Sequence, residues 1–371
     1  MPPDDQRMLD RFVRLCEIAS PTGEEREVAD AVLDELRELG VDVAEDASAT
    51  PARAAAGNLI ARVPGTGEGW LSFFSHLDTV PHQGPIEVVR ENGAFRTRGD
   101  TILGADNKAA VTVLIELAAR HLIEPGPLGL ELVFTVAEED GLRGAKELDI
   151  SSLRAPFGFV LDHATPIGEL IVAAPTYKRL IAEFTGHEAH AGINPEDGHS
   201  AIAAAAAAVA GMKLGRLDEE TTANVGTIAG GVARNVVPPS CRVEAEVRSR
   251  DMGRLAEETA YLLEVAATAA ADEGCTLETA VREEYAAYRF RRGDLVVRLA
   301  RQALEAAGIP AREEEVGGGA DAHIFNERGI PCVVLTSGME RIHGPGERIL
   351  AADVDRMSEI TVQLIAAARA S

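Results

Sequence analysis

Cysteine is scarce and scattered. Cys16, Cys241, Cys275 and Cys332 lie far apart, and no two of them form a CxxC pair. That argues against a disulfide framework or a cysteine-ligated zinc site, and it fits reduced thiols in a cytoplasmic protein. Basic residues are also in deficit: 36 Lys and Arg against 60 Asp and Glu leave a formal charge of -24. A surface of that sign repels nucleic acid and anionic membranes, so neither is expected as a partner; the acidity reads as a device for solubility. Long hydrophobic runs are missing too. The longest, around 201–210, is too short and too rich in alanine to span a bilayer, and it reads as a helix packed closely against a sheet. The first residues, MPPDDQRMLD, have neither a basic start nor an apolar stretch, so no signal peptide is expected. No repeat stands out at solenoid periods.

What is present is enough apolar residue for a large interior. At 371 residues and 46% hydrophobic, the chain exceeds one core, and two domains are expected. Helical periodicity covers 5–19 and 23–39, broken by Ser20-Pro21-Thr22-Gly23. Strand-like segments follow at 58–63 and 71–75, and the Pro64-Gly65-Thr66-Gly67-Glu68-Gly69 stretch between them reads as a hairpin turn. It lacks the lysine and hydroxyl of a phosphate loop, so nucleotide binding is not expected there. Strands at 130–136 and 157–161 alternate with a long apolar helix within 99–121. This is the pattern of an open α/β domain whose ligand crevice lies at the strand C-termini, and it takes in 1–175. The pattern then changes to a strand at 177–186, the alanine-rich helix, strands at 224–229 and 242–248, a helix over 250–271 and a strand at 276–282. Strand, helix, strand, strand, helix, strand is a compact α+β unit, inserted over 176–289. The α/β signals resume with a helix at 295–307, a strand at 333–336 and a last helix over 351–370, so 290–371 rejoins the first domain.

Chemistry-bearing residues gather at the ends of these strands. The stretch LSFFSHLDTV, residues 71–80, is an apolar run that stops at His76-Leu77-Asp78. Residues two apart on a strand face the same side. The Asp78 carboxylate can therefore hold one imidazole nitrogen of His76 and leave the other free for a metal. Alone, the triplet would be a core histidine beside a surface aspartate. Asp106 stands where a loop enters the long helix, and alone it would be a plain cap. Glu138, Glu139 and Asp140 follow directly on a buried strand. Their mutual repulsion calls for a counter-charge, of which a divalent ion is the economical form. Asp162 ends the next strand, and His343 sits on a loop at the same edge. His76, Asp106, Glu139, Asp162 and His343 are too many ligands for one tetrahedral zinc but suit two ions bridged by one carboxylate. His163, His187, His199 and His323 belong to no motif and are assigned to structure or solvent. Gly317-Gly318-Gly319 has no lysine after it and reads as a close backbone approach near the metal site.

The segments SHLDTV, DTILGADNKAAV, FTVAEEDGLRGAKELD, LDHATP, GHEAHAGINPEDGHSAI, NVVP, EVRS and GGGADAHIF followed by IH occur in one order over nearly the whole chain. In this the chain resembles the co-catalytic di-zinc exopeptidases, the family of peptidase T, glutamate carboxypeptidases, aminoacylases, acetylornithine deacetylase and succinyl-diaminopimelate desuccinylase. TILGADNKA and EEDGLRGAKELD are most similar to peptidase T-like tripeptide aminopeptidases. The resemblance implies an α/β fold class: a catalytic domain with a mixed central sheet flanked by helices, residues 1–175 and 290–371. To this it adds an inserted α+β, ferredoxin-like lid and dimerisation domain over 176–289. It also implies two Zn²⁺ per subunit, with Co²⁺ or Mn²⁺ as substitutes. Asp106 would bridge, with His76 and Asp162 completing one site and Glu139 and His343 the other. Glu138 would be the general base and Asp78 would orient His76. His190 would reach the partner subunit's site to stabilise the oxyanion, and Asn235 and Arg248 would hold substrate. The implied substrate is a short peptide, foremost a tripeptide losing its N-terminal residue, and the implied assembly is a cytoplasmic homodimer paired through the inserted domain. An N-acyl amino acid deacylase or a carboxypeptidase on the same site is the alternative, and a metal-retaining binding protein without catalysis is a further one. The chain departs from the pattern at Asp140, where the branch often has an apolar residue, and at Arg234, where a small or neutral one is common. Both bear on substrate preference more than on chemistry.

Overall fold

Four apolar runs, GLELVFT, WLSFFSH, GFVL and CVVL, form the strands Gly129–Thr135, Trp70–His76, Gly158–Leu161 and Cys332–Leu335. They lie side by side in that order and run parallel. Strands buried on both faces tolerate apolar side chains at every position rather than at alternate ones, and nearly every residue of these four is buried. The computed structural model describes residues 5–164 and 166–369. These divide into two compact units: one takes in the chain up to Val172, Arg289–Glu315 and Ala320 onward, the other Ala173–Tyr288 and Val316–Gly319.

In the first unit the parallel strands are the centre of a nine-stranded mixed sheet. Leu59–Val63 and Asp42–Glu45 extend it antiparallel on one side, and Glu169–Ala174 pairs antiparallel with Cys332–Leu335 on the other. From Trp70–His76 the chain crosses through the helix Ala105–Ile123 to Gly129–Thr135 on one flank, then returns to Gly158–Leu161 on the opposite flank. That reversal of direction opens a crevice at the carboxyl ends of the strands. The Ala105–Ile123 helix is buried almost all round, as its largely apolar sequence requires, and Asp5–Glu17 and Ala351–Arg369 pack against it. The final helix was expected over 351–370; it is seen as Ala351–Arg369, and residue 370 lies outside the described residues. A separate three-stranded sheet joins Arg348–Leu350, Ala94–Thr97 and Val88–Glu91, and its strand Arg348–Leu350 follows the loop that carries His343.

The second unit is an antiparallel sheet in the order Gly215–Arg216, Thr221–Gly230, Ser240–Ser249, Thr176–Thr185, Thr276–Tyr285. Apart from the two-residue edge strand, this is the ferredoxin-like order. Along Ser240–Ser249 every second residue is buried, the period of a sheet covered on one face. The cover is the helices Ala201–Gly211 and Met252–Asp272, and the alanines at 201, 204, 205 and 208 let the first of them sit close. Among the described residues no helix is long and apolar enough to cross a membrane.

The expected hairpin around 64–69 is not one. Leu59–Val63 and Trp70–His76 are not neighbours, because Gly129–Thr135 is inserted between them. The glycines serve another purpose: the loop runs along the segment entering that inserted strand, with the N–H groups of Thr66 and Gly67 donating to Gly126 O and Pro127 O. A Cβ on Gly65 would lie 2.4 Å from the carbonyl of Leu128, and one on Gly67 would lie 2.7 Å from Pro127 O. Backbone that close cannot give way. Gly65→Ala is therefore expected to destabilise the chain by about 1–3 kcal/mol, read from urea unfolding. Gly317→Ala, where a Cβ meets nothing within 4 Å, should stay within about 0.5 kcal/mol of the parent.

Candidate metal centre

The carboxyl ends of the parallel strands deliver their polar residues to one place. His76 is the last residue of its strand and is buried. Its Nδ1 lies 3.0 Å from the main-chain oxygen of Asp78 and 3.5 Å from that residue's Oδ1. The expected orienting contact is therefore made at hydrogen-bond distance by the carbonyl rather than by the carboxylate. The Asp78 carboxylate instead accepts the N–H of Glu138 at 2.9 Å and of Glu139 at 3.2 Å, with Thr22 Oγ1 donating at 2.7 Å. His76 Nε2 is left facing Asp106 Oδ1 at 3.2 Å and Asp162 Oδ1 at 3.6 Å. The other oxygen of Asp106, Oδ2, lies 3.2 Å from His343 Nε2, which is itself 3.0 Å from Glu139 Oε1.

Two triads thus share one carboxylate: His76, Asp106 and Asp162 on one side, Asp106, Glu139 and His343 on the other, each with ligand atoms within 4.8 Å of one another. Ligands about 2.0–2.2 Å from a tetrahedral ion stand roughly 3.3–3.6 Å apart, close to the separations seen. Glu139 Oε1 is buried without an aligned hydrogen bond although His343 is near, as expected of donors aimed at a common point rather than at each other. The residues present fit a pair of divalent ions. Glu138 joins His76 and Glu139 in a third such group.

Residues 73–367 match the family described as Peptidase family M20/M25/M40. The chain belongs to that family. It is accordingly a metallopeptidase, a hydrolase of peptide amide bonds. It is 36% identical to a Bacillus cereus aminopeptidase PepT of known structure, with 99% of each chain covered and a TM-score of 0.84. A Staphylococcus aureus tripeptidase gives 35% identity, 99% coverage of each chain and a TM-score of 0.89. Among curated relatives, the uncharacterised protein YqjE of Bacillus subtilis is 38% identical over 98% of both chains.

The other residues singled out in the peptidase's sequence have surroundings of their own. Asp140 points away and pairs with Arg143 at 2.9 Å. His190, Asn235 and Arg248 belong to the second unit. There the N–H of Ala191 donates to Asn235 O at 3.0 Å and His190 bridges to Val236. Arg248 lies 4.5 Å over the ring of Tyr177, and its Nε and Nη2 fork onto Glu246 at 3.2 and 3.1 Å. The close approach expected of the three glycines is made by Gly319 alone, and to Tyr285 in the second unit, where a Cβ would fall 2.2 Å from the ring hydroxyl. His323 is buried against Ala320, and His199 Nδ1 lies 3.1 Å from Glu273 O. Sequence reasoning missed Asp321, Glu347 and Glu25, all buried. Asp321 takes a hydrogen bond from Thr135 Oγ1, while the other two accept main-chain N–H groups from the turns around Asp106 and Glu138. The only signal for Asp321 was its place in GGGADAHIF, which was read for its glycines.

Charge is distributed unevenly in this pocket of the peptidase. Burial acts to raise the Asp106 carboxyl, but His343 and His76 hold it well below the usual carboxylate range. Burial lifts Glu138 well above that range, with Asp162, Glu139 and Asp321 adding to the effect, and burial brings Asp321 to about 7. Burial works against a charged His76, yet Asp162, Asp106 and Asp78 keep its pKa well above ordinary imidazole; Asp106 and Glu139 push His343 up to about 10. The metal-free chain therefore carries protonated imidazoles at neutral pH, and each must lose its proton to ligate an ion. Adding Zn²⁺ to metal-free protein at pH 7 should release about two protons or more per chain, measured by calorimetry in buffers of different ionisation enthalpy. Apparent affinity should rise with pH until His343 has titrated near 10. Proton-neutral binding at pH 7 would contradict this account of the site.

Proposed function

We propose that this peptidase is a dinuclear zinc exopeptidase that removes the N-terminal residue of short peptides, tripeptides foremost. The observation that carries the reading is Asp106, whose two oxygens each face a different histidine. His76 and Asp162 would hold one ion with it, and Glu139 and His343 the other. When bound, such a pair acidifies a water and polarises the scissile carbonyl. Glu138 is the general base: it is buried beside both triads, and its carboxylate takes a proton from the attacking water and returns it to the departing amine. Asp78 holds this base in place through the N–H groups of Glu138 and Glu139.

In this reading the second unit is the lid and dimerisation domain of a homodimer. Arg248 takes the substrate carboxylate, its guanidinium already oriented by Tyr177 and Glu246. His190 and Asn235 serve the oxyanion and the substrate. The free thiols of all four cysteines support a cytoplasmic location. The aminopeptidase and tripeptidase among the similar structures support N-terminal cleavage over deacylation.

A panel of free tripeptides, N-acetyl amino acids and N-blocked dipeptides tests the substrate. Hydrolysis that requires a free amino terminus is expected, whereas preference for blocked substrates would replace the reading with a deacylase or carboxypeptidase. For the base, Glu138→Gln should retain both ions by elemental analysis yet lower kcat by about 10²-fold or more. Near-parental kcat with full metal content would remove Glu138 from that role.

A further inference from the structure

Glu347 lies just beyond His343, on the loop whose base is closed by the main-chain pairing of Glu340 with Arg348. Its side chain is buried, 2% exposed. Oε2 accepts the N–H groups of Leu103 at 2.8 Å and Gly104 at 2.9 Å, and Oε1 accepts that of Asp106 at 3.1 Å. One carboxylate from the His343 loop thereby gathers the free amides at the start of the Ala105–Ile123 helix, a turn distant in sequence. Such amides need an acceptor, but any nearby side chain could supply it. Taking it from this loop ties the turn of Asp106 to the loop of His343.

The tie matters because the side chain of His343 is not itself packed in place. Its side chain is 46% exposed, and its backbone is left-handed at φ 65°, so packing does not hold the ring against Asp106 and Glu139. The other triad has independent supports. His76 and Asp162 stand at strand ends, and Asp106 is also anchored through its neighbour Asn107, whose Nδ2 donates to Leu161 O at 2.8 Å. Resting on the dinuclear reading above, we infer that Glu347 is a positioning residue for one of the two ion sites: it sets the affinity of the His343–Glu139 site and leaves the His76–Asp162 site alone.

The test is Zn²⁺ binding to metal-free protein, by equilibrium dialysis with a competing chelator, for the parent, Glu347→Ala and Glu347→Gln, with folding checked by circular dichroism. The parent should bind two equivalents. In Glu347→Ala one equivalent should keep its affinity while the other weakens about 10–100-fold. Glu347→Gln, whose amide oxygen still accepts from Leu103 and Gly104, should lie between. If Glu347→Ala fails to fold, a selective loss of one equivalent in Glu347→Gln carries the inference. Two equivalents at parental affinity in the folded variants, or an equal fall in both, would overturn it while leaving the dinuclear reading intact. A parent chain that binds fewer than two ions would overturn that reading, and this inference with it.

Discussion

A buried carboxylate set between two imidazoles is the constraint to which the rest of the first unit answers. Asp106 is 6% exposed, and around it stand Asp78, Glu138, Glu139, Asp162 and Asp321, all carboxyl groups that desolvation and mutual repulsion oppose. Neither histidine alone neutralises such a set. The fold answers with two devices. Cationic charge is concentrated on the line from His76 through Asp106 to His343, where distances of 3.2 Å on either side leave each carboxylate oxygen its own imidazole. Main-chain amides supply the remainder: Asp78 accepts from Glu138 and Glu139, Glu25 from Gly23, Ala55 and Ala137, and Glu347 from Leu103, Gly104 and Asp106. These acceptors have a second effect. Each grips a turn that carries a proposed ligand or the proposed base, so the anions that need stabilising also fix the geometry of the site.

Most of the proposed ligands stood out in the sequence because they interrupt a hydrophobic run. His76 and Asp162 close buried parallel strands, and Glu138 and Glu139 follow one almost at once. A local pattern, an apolar stretch stopped by a charged residue, points at such positions without knowledge of their neighbours. Glu25 and Glu347 were not legible for the opposite reason. They sit among other polar residues near turns, and what marks them is an acceptor bond to amides far away in sequence, which no periodicity reports. The order of the strands failed similarly. Leu59–Val63 and Trp70–His76 are joined by a glycine-rich turn of hairpin appearance, yet a strand from much later in the chain separates them. Only the contacts of Gly65 with Leu128 show why the turn is built of glycine.

Short polar strands escaped for want of a pattern. Arg312–Glu315 reads REEE and is exposed throughout, and Asp42–Glu45 pairs at the sheet margin with its residues mostly outside the core. The second unit was easier to read. Alternation along Ser240–Ser249 and the alanine stripe of Ala201–Gly211 each report one covered face, and strict alternation leaves a register little freedom to slip. Three of its strands nonetheless extend beyond the expected limits. In Thr221–Gly230 the alternation is lost at an irregularity between Val225 and Thr227, and the second half of the strand is exposed. Backbone pairing continues where side-chain pattern has stopped.

The same carboxyl chemistry is pushed in two directions within this site, and the surroundings decide which. Asp106 lies between two imidazoles, and its anionic form is favoured despite burial. Glu138 is buried, with Asp162, Glu139 and Asp321 for neighbours, and its pKa is raised well above the usual carboxylate range. A pair of acids pushed apart in this way is the arrangement in which one serves as a permanent anion and the other exchanges a proton. The backbone follows the same division. Ala137, directly before Glu138, has φ 50°, a conformation that costs a non-glycine residue free energy and persists only where its surroundings impose it. Glu25 does so by accepting the Ala137 N–H, and Asp78 by accepting the next two. The turn that presents Glu138, the proposed base, is therefore held by two other acids through its amides.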